Sequence, residues 1–294
     1  SVGDSRHPLY YLIFSSVVNI VLDLVFIGVF HFGVASAAAA TAISQFVSAA
    51  FCLYRLTRKS PEEYRVSLRC IQLNPFMLRQ IITNGLPAGI QNSVISIANV
   101  FIQSNINSFG KIAMAGCGAY TKIEGFGFLP ITSFSLALTT FIGQNLGAKE
   151  YDRAKRGARM GILACMVLAE LIGVCIYLFS PLLIFAFDHT PEVVAVGVKQ
   201  ARTITLFYFL LALTHGMAAV MRGAGRSIVP MLVMLVCWCV IRIAYIVLIV
   251  RVVPDIQAIF WAYPLTWSLS SVALTAYYFR GDWTHSFDKQ CAKA

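Results

Sequence analysis

Residues 228–252 read IVPMLVMLVCWCVIRIAYIVLIVRV. Before Arg251, Arg242 is the one charge in that run. About 20 mainly apolar residues in an α-helix cross the hydrocarbon core of a bilayer, so the stretch reads as a membrane span. Comparable stretches lie near 8–30, 34–54, 80–106, 118–142, 159–180, 199–221 and 256–279, which makes about eight. Overall composition agrees. Charged residues make up 12% and apolar residues 58% of the chain, against about a quarter and just under half in soluble domains. The fold class is therefore all-α, a polytopic membrane protein with about eight transmembrane helices.

The run is preceded by Gly225-Arg-Ser-Ile-Val-Pro230, and the same Gly-x-Ser-x-x-Pro pattern stands at Gly3–Pro8. Such a pattern suits a helix start: glycine permits the turn, serine can cap free N–H groups, and proline is tolerated in a first turn. Sliding the sequence by 222 residues aligns the two, and carries Val18 onto Val240, Val25 onto Val247, Ile27 onto Ile249 and Arg58 onto Arg280. Internal repeats of this size mark secondary transporters, whose substrate lies between two similar halves. Six spans separate the copies, an even number, so both cross in the same direction. The first copy has no counterpart of roughly residues 79–222. The expectation is a twelve-helix, two-lobe (six plus six) protein of which this chain is the C-terminal two-thirds. Residues 1–58 then hold the last two helices of the N-terminal lobe, 59–78 the cytoplasmic inter-lobe loop, 79–280 a six-helix C-terminal lobe and 281–294 a cytoplasmic tail.

The net charge of +10 follows the loops. If each span crosses, 17 of the 23 Lys and Arg fall on one side. Four (Lys111, Lys199, Arg202 and Arg251) fall on the other, and two (Lys122 and Arg242) within spans. The positive-inside rule places both ends of the chain in the cytoplasm, in a plasma (inner) membrane, so the basic balance is orientation and not a nucleic-acid footprint. Eight scattered cysteines form no CxxC pair and have no companion histidine cluster, so neither a disulfide frame nor a metal site is expected. With no HExxH and no Gly-x-Ser-x-Gly, an enzyme is not expected either, and no cofactor is called for beyond a coupling ion.

Polar residues inside spans are costly and mark pathways. Asn19 and Asp23 are four residues apart, hence on one helix face, and a carboxylate beside an amide oxygen can hold a proton or Na⁺; the alternative is an Asp hydrogen-bonded to a neighbouring helix with no role in transport. Their counterparts in the second copy are Ile241 and Tyr245, so the fold itself does not demand the pair. Lys122 and Glu124 precede Gly125, Gly127 and Pro130. Glu124 either faces a cavity and meets a cationic substrate or pairs with Lys122 or Arg242. Gln91, Asn92, Asn99, Gln103 and Asn105 form an amide-rich face around Pro87, suited to a wet cavity or to inter-helix hydrogen bonds. Glu170, His215 and Arg242 stand as single polar signals, with structural pairing the default for each. Tyr120, Phe126, Phe128, Phe207, Tyr208 and Phe209 are candidates for an aromatic wall.

Together these residues resemble the multidrug and toxic compound extrusion (MATE) family. Asn19-Ile-Val-Leu-Asp23 is similar to its fifth helix and Gly85-Leu-Pro87 to the entry of its seventh. Lys122-Ile-Glu124-Gly-Phe is similar to the eighth, with Phe141-Ile-Gly143-Gln144-Asn145-Leu-Gly147-Ala148 after it, and Met221-Arg222-Gly223-x-Gly225 to the tenth-to-eleventh junction. The resemblance implies spans five to twelve of a monomeric antiporter that exports small-molecule organic cations in exchange for H⁺ or Na⁺. It implies an ion-coupling role for Asn19 and Asp23, with a cavity drawn from Gln91, Asn99, Gln103, Tyr120, Glu124, Phe128 and His215. Spans 80–106 and 199–221 contain no Asp or Glu, where some sodium-coupled members have acids, so coupling is expected in the N-terminal lobe. Competing expectations are a lipid-linked oligosaccharide flippase of the same superfamily, which would need more cationic cavity residues, and an inactive truncated membrane protein.

Overall fold

A computed structural model describes residues 6–30, 34–59, 65–67, 72–253 and 255–284. Gly3 and Ser5 of the repeated motif, Arg69, Cys70, Lys289, Cys291 and Lys293 lie outside the described residues, as do residues 60–64 and 68–71 of the proposed inter-lobe loop. The chain divides into two compact units, residues 1–75 and 76–294.

In the first unit, α1 (Arg6–Asp23) runs into a π-helical segment, Leu24–Val29, and α2 (Val34–Tyr54) into a second, Arg55–Lys59. Ser36, Ala40, Ser44 and Ser48 are buried at intervals of four along α2. Small side chains at that spacing let two helices approach closely where lipid supplies no hydrophobic drive. The contact is closed by Ser15, whose Oγ donates to the Ser44 carbonyl at 2.6 Å, and by Phe51, whose ring stacks on Tyr11 at 5.7 Å.

The second unit begins with α3 (Pro75–Asn107), α4 (Lys111–Gly147) and α5 (Tyr151–Phe185). Next come α6 (Pro191–Ile204) and α7 (Tyr208–Gly223), joined through a 3₁₀ turn at Thr205–Phe207. Helices α8 (Ile228–Leu235) and α9 (Arg242–Val252) flank a π segment at Val236–Ile241, and α10 (Ile256–Phe260) and α11 (Ala262–Arg280) complete the unit. Gly110 turns α3 into α4 at φ 94°, and Gly225 turns α7 towards α8 at φ 74°, both in the left-handed region that favours glycine. Gly225 thus performs the turn its motif implies. Ser227 departs from that reading: it is already helical and its side chain makes no capping bond, so the start of α8 rests on the turn and on Pro230 in the first turn.

Among the described residues, seven segments are long and apolar enough to cross a membrane: 6–29, 35–58, 77–107, 111–147, 151–185, 191–223 and 228–252. The eighth expected stretch, 256–279, is helical but interrupted at Trp261 and rich in hydroxyls. Its polar groups face protein. Thr214 Oγ1 lies 3.1 Å from Ser270 Oγ and 2.8 Å from Ser271 Oγ, and Ser271 Oγ donates to the Leu210 carbonyl. Glycines set the other contacts. A Cβ on Gly116 would meet the Val193 carbonyl at 2.7 Å and one on Gly223 the Thr139 carbonyl at 2.7 Å, while one on Gly173 would collide with the Thr205 carbonyl.

Candidate functional site

The first unit holds the Asn19–Asp23 pair. Asn19 Nδ2 reaches Thr41 Oγ1 at 3.5 Å, the long limit of a hydrogen bond. Thr41 Oγ1 itself donates to the Ala37 carbonyl. Asp23 is the last residue of α1, where the helix widens into the π segment. Its Oδ1 is buried and has no hydrogen-bond partner among the described residues. π segments inside α-helices recur at functional sites, and an unpartnered buried carboxylate oxygen is costly unless a cation or proton meets it.

The second unit contains a cavity of about 730 Å³. Its walls follow from helical periodicity. Gln91, Ile95, Asn99, Ile102 and Ile106 lie on one stripe of α3, and Cys117, Thr121, Glu124, Phe128, Thr132, Ser135 and Thr139 on one stripe of α4. Met234, Trp238 and Arg242, at intervals of four, cross from α8 through the π segment to the first residue of α9. His215 and Arg222 on α7, Gln200 on α6, and Tyr263 and Trp267 on α11 complete the lining. Gln91 is held to the wall, its Nε2 donating to Met234 Sδ at 2.9 Å, and Gln103 Nε2 donates to Asn107 Oδ1.

Six of the seven residues expected in a cavity line this one: Gln91, Asn99, Gln103, Glu124, Phe128 and His215. Tyr120 does not. It is fully buried behind the wall, its hydroxyl 3.1 Å from that of Tyr208. The aromatic surface is also differently composed. Of the six aromatics singled out in the sequence only Phe128 lines the cavity, and Phe126, 73% exposed, points away from the protein. Trp238, Tyr263 and Trp267 take their place.

Glu124 is half-buried and forms no ion pair with Lys122 or Arg242 among the described residues. Lys122 sits over the Phe187 ring at 5.3 Å. Arg242 is only 2% exposed. Its Nε and Nη2 donate to Thr266 Oγ1 at 3.1 and 2.6 Å, and its guanidinium lies 5.3 Å from the Trp238 ring and 4.6 Å from the Tyr263 ring. Three polar atoms of the lining are buried without a hydrogen-bond partner among the described residues: Ser135 Oγ, Gln200 Oε1 and His215 Nε2. The His215 ring is set edge-on to Phe128 and Trp238. Counting histidine as uncharged, Arg222 and Arg242 against Glu124 leave the lining at +1. The signal for Arg242 was available in the sequence: it is the one charge within a long apolar run and stands four residues after a tryptophan.

A family model described as MatE matches residues 87–248. The chain is 26% identical over 283 residues to the probable multidrug resistance protein YoeA of Bacillus subtilis, covering 94% of this chain and 61% of that protein. It is 29% identical over 283 residues to the probable multidrug resistance protein YpnP of the same organism, covering 96% and 63%. Among solved structures, a MOP superfamily transporter from Pyrococcus furiosus superposes with a TM-score of 0.88 at 22% identity, covering 97% of this chain and 64% of the other. The chain therefore spans a little over three-fifths of the length of each of these proteins.

Proposed function

The chain belongs to the MatE family, and from that membership we propose that the protein carrying it is a secondary active antiporter, exporting drug-sized organic solutes, organic cations among them, in exchange for H⁺ or Na⁺. The observation that carries the reading is the cavity of about 730 Å³ within a bundle of membrane-spanning helices. That volume lies within the range of small-molecule sites, roughly 300–1,000 Å³, and its amide and aromatic walls suit amphipathic solutes. Glu124, free of an ion pair, is the group for an ammonium centre. Asp23 is the coupling carboxylate, with Asn19 one turn away as its neighbour.

The remaining parts of the proposal rest on the sequence. The positive-inside asymmetry supports a plasma-membrane protein with both ends of this chain cytoplasmic. The repeat supports residues 1–58 and 79–280 as parts of two lobes of one polypeptide, and the family resemblance supports a monomer. The test is flux. Full-length protein in proteoliposomes, loaded with ethidium, should move the dye when a proton or a sodium gradient is imposed, and the gradient that drives it identifies the ion. No flux under either gradient, from protein that is folded and inserted, would sink the proposal.

A further inference from the structure

We propose that the cavity in residues 76–294 selects aromatic solutes that carry an oxyanion, a carboxylate or phosphate, and that Arg242 is the residue that receives it. This deepens the transport reading and rests on taking that cavity as the solute site.

An arginine in the middle of a membrane span is expensive unless something meets its charge. Arg242 has no carboxylate within ion-pair distance among the described residues. What it does have is a mount. One edge of the guanidinium, Nε and Nη2, is occupied by Thr266 Oγ1. Thr266 Oγ1 in turn donates to the Ala262 carbonyl at 2.8 Å, so it accepts from the arginine. Trp238 and Tyr263 fix the guanidinium plane through their rings. Nη1 donates to no protein atom among the described residues, so the Nη1–Nη2 edge keeps a free proton on each nitrogen. That edge matches the two oxygens of a carboxylate or phosphate.

The surroundings fit such a solute and favour it over a bare cation. Trp238, Trp267 and Phe128 offer ring faces or edges to a flat body, and Arg222 adds a second positive charge to the lining. A solute with an oxyanion compensates Arg242, and an ammonium elsewhere on it would meet Glu124. A cation without one can meet Glu124 but gives the free edge of the buried guanidinium no acceptor, so it binds more weakly.

The test uses full-length protein in detergent and two matched pairs, followed by quenching of tryptophan fluorescence. Flavin mononucleotide and riboflavin share a ring system and differ by a phosphate, and 2-naphthoate and 2-naphthylmethanol differ by a carboxylate. The charged member of at least one pair should bind about tenfold tighter or more, the scale of a charge-assisted hydrogen bond, and the responding pair identifies the oxyanion. Arg242→Gln should weaken the charged member by more than the neutral one and so remove the difference between them, whereas loss of structure would abolish the binding of both. Arg242→Lys should keep part of the difference. Equal affinities within both pairs of the unmodified protein would overturn the proposal, and this arm needs no variant to fold. A preference retained in Arg242→Gln and lost in Arg222→Gln would overturn the assignment to Arg242. Flux distinguishes the two readings. Ethidium transport without an oxyanion preference sinks this inference and leaves the transport reading standing; oxyanion-selective binding without any flux does the reverse.

Discussion

The backbone N–H of Phe209 donates to Glu170 Oε2 at 3.1 Å. The bond joins α5 to the start of α7, just after the 3₁₀ turn at Thr205–Phe207. A helix that restarts within a membrane exposes N–H groups that lipid cannot satisfy, and a carboxylate at its N-terminus meets both the open donor and the helix dipole. Glu170 therefore has a structural task, and acceptor geometry matters more than charge. Glu170→Gln should keep most of the stability, whereas Glu170→Leu should lose about 1–3 kcal/mol, the cost of an unsatisfied buried donor. Thermal unfolding in detergent gives the order. A leucine variant as stable as the glutamine variant would refute the role.

Glycine-to-alanine changes within α-helices separate packing from propensity. Alanine favours a helix over glycine by about 1 kcal/mol, so where space is open the change should be neutral or stabilising. Gly118 has no atom within 4 Å of an added Cβ. At Gly173 the Cβ would collide with the Thr205 carbonyl, and at Gly116 it would meet the Val193 carbonyl at 2.7 Å. Backbone atoms cannot swing aside as a side chain can. Gly118→Ala should leave the melting temperature unchanged or raised, and Gly173→Ala and Gly116→Ala should lower it; equal effects at the three sites would remove the packing argument.

How far the sequence reveals the site depends on what each residue's neighbours are. The Glu124–Phe128 stripe and the amide face of α3 repeat along single helices, so periodicity alone gathers Gln91, Asn99 and Gln103 on one face of α3 and Glu124 and Phe128 on one face of α4. Tyr120 shares the i, i+4, i+8 spacing with Glu124 and Phe128, yet it faces Tyr208. Which side of a stripe meets a cavity is decided by the helix packed against it. Trp267 and Tyr263 were beyond a reading by hydropathy for a related reason. They lie on the helix whose hydroxyls make it polar, and those of Ser270 and Ser271 are satisfied by Thr214, Trp238 and the Leu210 carbonyl, partners distant in sequence.

At the loop before α10, Asp255 accepts from the Gln257 N–H at 3.0 Å and from Lys199 Nζ at 3.0 and 3.1 Å. The backbone bond first, and the Lys199 contacts after it, hold its carboxyl below the ordinary carboxylate range. A depressed pKa contributes stability above the unfolded-state value, about 3.9, and that contribution is lost as pH falls through the folded value. The pair should therefore be insensitive to pH between about 5 and 8. Both side chains are substantially exposed, so screening keeps the ion-pair part small. Asp255→Asn, which retains an oxygen for Gln257, should shift stability less than Asp255→Ala, and the gap between unmodified protein and the alanine variant should begin to narrow at about pH 4 and shrink further as pH falls through the lowered folded value. A gap that does not narrow would show that the carboxylate is not its source.

The coupling role of Asp23 makes a sharper demand, because binding and coupling reside in different parts of the chain. The solute cavity is built wholly from residues 88–267, so Asp23→Asn should leave tryptophan quenching by a bound solute unchanged. Asparagine cannot exchange a proton at neutral pH, and it replaces a full carboxylate charge by a neutral amide oxygen, a weak ligand for Na⁺. Gradient-driven flux should therefore fall to the level of empty liposomes, with partial recovery in Asp23→Glu, which restores the carboxylate one methylene further from α1. Asn19→Ala should weaken coupling less, since Asn19 supplies no titratable group and its one side-chain partner among the described residues, Thr41, is held at the long limit. Undiminished gradient-driven flux in Asp23→Asn would remove Asp23 from the mechanism. Loss of solute binding in the same variant would instead tie this residue to the cavity and not to the ion.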